Sequence, residues 1–372
     1  SLEFMLYSGK RPDIIHTHDW QTALVPVILY ETYKYIGMEN CRACHTIHNF
    51  KHQGIAGENV LWFSGLGRPD HYYHQDRLGD DFNPSAINFT KGALLYANFT
   101  TTVSPNHAWE VRHTDWGYGL GHALHAQQNK FCGILNGLDY DMWNPQTDPY
   151  IDQSYSADDL DNKYENKRAL RDRLWLSQDY KPLIAYVGRL DSQKGVPLIK
   201  HALYYALSHA AQFVLLGSSP ELGTNAEFWQ IKHELDQCPD CHLEIGYNEE
   251  LAHMIYAGAD MLIVPSLFEP CGLTQMIGLR YGTVPIVRSV GGLADTVYDI
   301  DYADRTEQDR NGYVFYQSDS PAIESAMQRA IGLWYDYPDK FRQLILNGMN
   351  FDYSWNIPGQ NYINIYNYIR HT

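Results

Sequence analysis

Short apolar runs rich in β-branched residues recur through the second half of the chain, at 182–187, 212–216, 242–245, 261–264, 284–287 and 312–315. Between them the apolar spacing becomes helical. Residues 196–210 set Ile199, Leu203, Ala206 and Ala210 on one face. A later helix is predicted to open with Ser320 as N-cap and Pro321 as its first residue, then to run through Ile323, Met327, Ala330, Ile331 and Trp334. Six strands alternating with helices predict a parallel, doubly wound sheet that binds ligands at its carboxyl edge.

The first half follows the same grammar with fewer pieces. Strands are predicted at 13–16, 44–47, 99–103 and 131–135, with helices over 20–35 and 86–97. The chain opens on Ser1-Leu-Glu-Phe-Met and is expected to enter a strand almost at once, as in a Rossmann-like domain without its early strands. A stretch rich in Asn, Gly, Asp and Pro, 136–152, reads as a linker. The expected organisation is a partial first domain over 1–150, a complete second domain over 151–350, and a terminal helix over 351–372 crossing back onto the first.

Composition fits this picture. At 372 residues, 44% hydrophobic and 19% charged, the chain can bury two cores. A formal charge of −16 argues against nucleic acid as a partner, yet two or three local cations would suffice for one diphosphate. Neither a signal peptide nor a bilayer-length apolar run is evident, so no membrane is expected and the cytoplasm (or a plastid stroma) is the expected compartment. The 29 Tyr and 9 Trp suit stacking on sugars and core packing equally. Six cysteines include the pairs Cys41/Cys44 and Cys238/Cys241, whose spacing would allow zinc; their separation along the chain favours reduced thiols.

The most informative string is Pro265-Ser-Leu-Phe-Glu-Pro-Cys-Gly-Leu-Thr-Gln275. It reads as a loop between a strand and a helix whose first turn contains Gly272. The amides of Gly272, Leu273 and Thr274, beside Cys271, would then be free to bind phosphate. Glu269 could accept hydrogen bonds from sugar hydroxyls. An ordinary strand-to-helix turn would show the same pattern. After the first strand of the second domain, Tyr186-Val-Gly-Arg-Leu-Asp-Ser-Gln-Lys-Gly195 brings Arg189 and Lys194 to the same sheet edge, either as surface cations or as partners of a diphosphate. In the first half, His45-Thr-Ile-His-Asn49 and His16-Thr-His-Asp-Trp20 end predicted strands. Alternation puts His16 and His18 on one face, but no third ligand is evident and no metal is assigned.

These strings, in this order, resemble those of bacterial glycogen synthases and plant starch synthases, nearest to the cyanobacterial enzymes and to soluble starch synthases of classes III and IV. The Phe-Glu-Pro-Cys-Gly-Leu-Thr-Gln loop, the Thr-x-His-Asn ending on Asn49, Gly133-Ile-Leu-Asn-Gly-Leu-Asp-Tyr140, Ile245-Gly-Tyr247 and Ser289-Val-Gly-Gly-Leu-Ala-Asp-Thr296 all contribute. The resemblance implies a GT-B fold: two Rossmann-like domains with a cleft between them, the first truncated at its N-terminus. It implies a hexosyltransferase that retains α configuration and moves glucose from ADP-glucose to an α-1,4-glucan, with no cofactor or metal. It assigns Arg189 and Lys194 to the donor phosphates, Glu269, His48, Asn49 and Asn136 to the glucosyl ring, Asp19 to the acceptor and Tyr247 to the adenine.

Two departures stand out. The family's Lys-x-Gly-Gly-Leu loop is absent, which suggests an incomplete piece, and Ile277 stands where many related transferases carry a second Glu. A UDP-glucose-dependent transferase and a glucan-binding or scaffold homologue without turnover are the alternatives.

Overall fold

A computed structural model describes residues 1–371, in two compact units. One unit comprises residues 1–136 together with the chain from Asn356 onward, and the other is Gly137–Trp355. The first boundary falls earlier than the predicted 150 because the segment after Gly137 packs on the second unit. There Asp148 is buried, accepting from the Tyr281 hydroxyl at 2.5 Å and facing His253 Nδ1 at 2.6 Å.

In the first unit a helix, Leu2–Tyr7, precedes β1 (Ile14–His18) and β2 (Arg42–Ile47). After them come β3 (Ile55–Ala56), β4 (Ile87–Asn88), β5 (Phe99–Thr102) and β6 (Phe131–Gly133). Strands β1, β2, β5 and β6 form a parallel sheet in that order, while β3 and β4 make a separate antiparallel pair. Two predicted helices change as a result of local chemistry. The helix expected over 20–35 breaks into Asp19–Thr22, Leu24–Glu31 and a 3₁₀ turn, Tyr33–Tyr35. Pro26 has no N–H to bond the Thr22 carbonyl and crowds it, so the helix restarts. The helix expected from 86 begins at Phe89 because β4 takes Ile87 and Asn88; the Asn88 side chain then caps it, accepting from the Lys91 amide at 3.0 Å. The terminal helix Asn356–Arg370 places Ile365 and Ile369 against Cys44 and Ile134 of this unit.

The second unit holds β7 (Leu183–Val187), β8 (Gln212–Gly217), β9 (Cys241–Ile245), β10 (Met261–Val264), β11 (Val284–Arg288) and β12 (Tyr313–Phe315). All pair in parallel, in the order β12-β11-β10-β7-β8-β9. The chain therefore winds outward from β7 in one direction and from β10 in the other. Loops leaving β7 and β10 diverge to opposite faces, and the crevice between them is the usual ligand position in open α/β sheets. Every residue of β10 is buried, as expected of a strand covered on both faces. The late helix Ser320–Asp336 is capped by Asp319, not Ser320: the Asp319 carboxylate accepts from the Ala322 amide at 3.0 Å, which leaves Pro321 in the first turn. Ala210 lies beyond the Val196–Ser208 helix.

Candidate active site

The order reversal between β7 and β10 is where the charged groups meet. The loop after β7 forms a 3₁₀ turn, Ser192–Lys194, capped by Asp191, whose carboxylate accepts from the Lys194 amide at 3.3 Å. The turn closes on Gly195 at φ +73°, where a Cβ would lie 2.3 Å from the Pro265 carbonyl oxygen. Only glycine allows that approach, and it brings Lys194 beside the loop leaving β10. The Leu267 amide then donates to the Gln193 carbonyl at 2.8 Å and ties the two loops together.

Lys194 Nζ sits 2.5 Å from Glu269 Oε2, and the Ser266 hydroxyl donates to the same oxygen at 2.9 Å. Glu269 is buried, its side chain 8% exposed against 19% for Lys194. Gly291 makes this depth possible. At φ +45° it approaches so closely that a Cβ would stand 1.9 Å from the Glu269 carbonyl oxygen, and the Gly292 amide donates to that oxygen at 3.1 Å. Arg189 lies on the same loop as Lys194, paired with Asp191 at 2.9 Å but with its side chain 64% exposed. It is thus a positioned cation still open to solvent.

The phosphate loop differs from its sequence reading. The helix is Thr274–Arg280 with Leu273 at the N-cap, and Gly272 lies before it at φ +73°. Gly272 is therefore not in the first turn. Its carbonyl and that of Cys271 accept from Gln275 Nε2 at 2.8 and 3.2 Å, so the side chain of Gln275 shapes the loop from within. Cys271 is buried, and Leu273 is exposed. Tyr247 follows β9, two strands along the sheet from β7, with its ring 85% exposed and its hydroxyl on Glu249 at 3.0 Å.

In the first unit, parallel pairing of β1 with β2 sets His18 opposite Thr46 and gathers four histidines at their carboxyl ends. His18 Nδ1 is 3.1 Å from His48 Nε2, and the rings of His16 and His18 stack at 4.3 Å. His16 is held between Thr46 Oγ1 at 2.7 Å and the Tyr366 hydroxyl at 2.6 Å. Asp19 begins the next helix at φ +54°, and its carboxylate accepts from the His48 amide at 2.7 Å. That left-handed turn is uncommon outside glycine and asparagine, and here it directs a carboxylate onto the backbone of the neighbouring strand end. Asn49 accepts from the Lys51 amide at 3.0 Å, a local turn that fixes its side chain. Asn136 is half-buried, beyond the end of β6.

Burial drives His16, His18 and His45 toward neutrality. It is the main reason the His16 pKa falls to about 4 and that of His45 to about 3, with the neighbouring imidazoles adding to both. Burial also lowers His18. An unfolded chain takes up protons near the ordinary histidine pKa of about 6.5, whereas the fold refuses them until far lower pH. The histidines' contribution to stability should therefore be complete above pH 6.5 and be lost as pH drops toward 4 and 3. At pH 5 the fully buried His45 should cost about 2 kcal/mol, and His16 less because solvent reaches it. Urea unfolding at pH 7 and pH 5 tests this: His45→Gln should flatten the decline, and an unchanged decline would refute the assignment.

All six cysteines are free, and burial pushes the Cys44 and Cys241 thiols up to about 12, which disfavours the thiolates that zinc requires. Among the described residues no group of three or more His, Cys, Asp or Glu is arranged to hold a metal.

Residues 1–126 match the starch synthase catalytic domain model, and residues 181–332 match the glycosyl transferases group 1 model. The chain is 61% identical to glycogen synthase 1 of Synechococcus sp. (strain JA-3-3Ab), over all of this chain and 76% of that protein. The same coverage holds for the probable glycogen synthase 2 of Nostoc sp. (strain PCC 7120 / SAG 25.82 / UTEX 2576), at 60% identity. The catalytic domain of starch synthase IV from Arabidopsis thaliana, solved with ADP and acarbose, superposes with a TM-score of 0.96 at 43% identity, covering all of this chain and 76% of that one. The chain belongs to the bacterial glycogen synthase and plant starch synthase family. It has the family's GT-B fold and is a glucosyltransferase.

Within this family setting, four contributors were not singled out from the sequence: Asp191, Ser266, Gln275 and His18 as the partner of His48. Each acts through a contact that only the fold creates. The signal for Asp191 was present, since an Asp three residues before Lys194 is a capping spacing.

Proposed function

We propose that the chain carries out α-retaining transfer of glucose from ADP-glucose to the non-reducing end of an α-1,4-glucan. The observation that carries this reading is the Lys194–Glu269 pair at the order reversal of the second sheet, with Arg189 on the same loop. A nucleoside diphosphate sugar needs cations for its phosphates and an acceptor of hydrogen bonds for its sugar, side by side. The starch synthase IV structure, solved with ADP and acarbose, supports both the nucleotide and the glucan.

In this reading the bond between glucose C1 and the diphosphate oxygen breaks as Arg189 and Lys194 stabilise the charge gathering on ADP. These cations help most because that charge develops in the transition state. The acceptor hydroxyl attacks C1 from the side ADP leaves, and its proton passes to the departing phosphate oxygen. Glu269 holds sugar hydroxyls while Lys194 and Ser266 keep its carboxylate in place. His48, Asn49 and Asn136 are assigned to the glucosyl ring and Asp19 to the acceptor. Backbone amides of Gly272, Leu273 and Thr274, with Cys271 as a packed support, are assigned to the diphosphate, and Tyr247 to the adenine. Two side-chain cations supply the neutralising charge, and no metal is assigned.

Calorimetric titration with ADP and with UDP tests the donor. ADP should bind, UDP should bind more weakly, and Lys194→Ala should abolish most of the ADP heat. Preference for UDP would overturn the adenine assignment, and ADP binding unaffected by Lys194→Ala would overturn the site. Tyr247→Ala adds a check on the base: it should weaken ADP by about tenfold, from the loss of 1–3 kcal/mol of stacking.

A further inference from the structure

The first unit carries a second concentration of charge at the opposite edge of its sheet. A cavity of about 780 Å³ opens beneath the amino ends of β2, β5 and β6, where Arg42 begins β2, Asn98 precedes β5 and Lys130 precedes β6. The candidate groups His18, Asp19 and His48 stand at the carboxyl ends, so this cavity is separate from them. Its charged lining comprises Lys34, Arg42, Arg77 and Lys130 against two carboxylates, Glu39 and Asp76. In a chain of net charge −16, a cavity with a cationic excess is a departure from the rest of the surface.

The bonding of these cations is the more telling feature. Lys130 Nζ donates to the Leu95 and Ala97 carbonyls at 2.9 and 2.7 Å, which leaves one of its three protons for a further acceptor. Among the described residues Arg42 donates to the carbonyls of Glu39 and Cys41, at 3.1 and 3.5 Å. Lys34 lies over the Tyr30 ring, 3.3 Å from its centre. Among the described residues none of these three has a carboxylate within ion-pair distance, and Arg77 reaches Glu31 only at 4.0 Å. Burial without a carboxylate lowers Lys130 to about 8. A half-buried cation with neutral partners is under-compensated, and an anion entering the cavity would supply what the protein does not.

We propose that this cavity binds a small phosphate monoester, with its phosphate between Arg42 and Lys130 and its organic part toward Tyr30. Arg offers a planar fork for two phosphate oxygens, and Lys a point charge. Lys34 lies over one face of the Tyr30 ring and Tyr96 packs edge-on at 5.6 Å, yet Tyr30 stays half exposed, so its free part is the apolar surface beside the cations that an organic portion can cover. The volume greatly exceeds that of phosphate alone, which fits a ligand with an organic portion.

Isothermal titration at low salt tests the site, with excess ADP present to occupy nucleotide-binding groups elsewhere. The probes are inorganic phosphate, a hexose 6-phosphate and the free hexose. One hexose 6-phosphate should bind per chain, the free hexose should not bind, and Arg42→Gln should weaken binding by about tenfold, with Lys34→Gln weakening it less. Among the described residues neither side chain is in an ion pair, so both substitutions should leave the melting temperature and ADP affinity unchanged, which separates loss of the site from loss of the fold. Tighter binding of the ester than of phosphate would uphold the proposal; phosphate binding as tightly as the ester would overturn the place given to the organic part. No saturable heat from either phosphate, or equal heat in both variants and the parent, would overturn the proposal.

Discussion

Lys194→Ala should lower turnover by about 10²–10³, corresponding to about 3–4 kcal/mol of transition-state stabilisation. The size follows from where the ammonium sits. It is largely withdrawn from water, held at 2.5 Å from Glu269, and placed at the order reversal where a diphosphate would be bound. A charge in that position is already oriented before the reaction begins. The same substitution also takes the cation from the buried Glu269 carboxylate, which keeps the Ser266 hydroxyl as a donor, so the fold should lose about 1–3 kcal/mol. These two losses can be told apart. Adding Glu269→Gln removes the carboxylate's charge and should return most of the stability, while leaving turnover at least as low as in the single variant. Urea midpoints and initial rates of glucose transfer, measured across the four proteins of this cycle, check both halves. If rate recovers along with stability, Lys194 is a structural partner of Glu269 and its assigned part in the reaction is wrong.

Why the loops carrying this pair were legible in the sequence, while the pair itself was not, comes down to the range of each interaction. The strands β7 and β10 announce themselves as apolar runs, and the glycines and charges after them fall at fixed short distances along the chain. The contact between Lys194 and Glu269 depends on which strands are neighbours. No local pattern says that the fourth strand of the second unit lies beside its first. The close approaches of Gly195 to Pro265 and Gly291 to Glu269 have the same character: each glycine is visible, but its reason is a backbone far away in sequence.

Helix starts show the converse. Asn88, Ser104 and Asn248 each accept from a backbone amide three residues on, a local rule that sequence can reveal. It misplaced the cap at Ser320 by one residue because Asp319 and Ser320 are both good caps, and Asp319 won with its side chain on Ala322. Gly272 fell outside its predicted helix for a different reason. Its left-handed backbone is set by the buried Gln275, which reaches back to its carbonyl, and nothing in the string announces that bond. The β3–β4 pair was missed since strands this short have no periodicity to detect.

Lys163→Met should be the most destabilising single change away from the candidate site, at about 3–5 kcal/mol. Lys163 Nζ is buried and bonds the carbonyls of Ala257 and Tyr281 and the hydroxyl of Thr283, each at 3.0 Å, with the Tyr256 carbonyl at 3.4 Å. Tyr256 and Ala257 end the helix Glu249–Gly258, where carbonyls have no partners within the helix, so one ammonium joins that helix end to the start of β11. Methionine fills similar volume yet strips the Ala257 carbonyl of its side-chain donor, while the Tyr256 and Tyr281 carbonyls keep only the hydroxyls of Thr283 and Tyr155 among the described side chains. The lysine also carries a pH signature that methionine lacks. Burial, against the pull of Asp260, lowers its pKa to about 7, while in the unfolded chain it returns to about 10.4. Between those values the unfolded state binds more protons, so the contribution of Lys163 grows as pH rises, by up to about 1.4 kcal/mol per unit. Urea unfolding of both proteins at pH 7 and pH 9 separates the two effects. The gap between them should widen with pH, because the parent gains stability from a lysine that the variant does not have. A gap that stays constant would mean the lysine remains charged in the fold throughout, and a gap below about 1 kcal/mol would mean that the helix end is held by its other contacts.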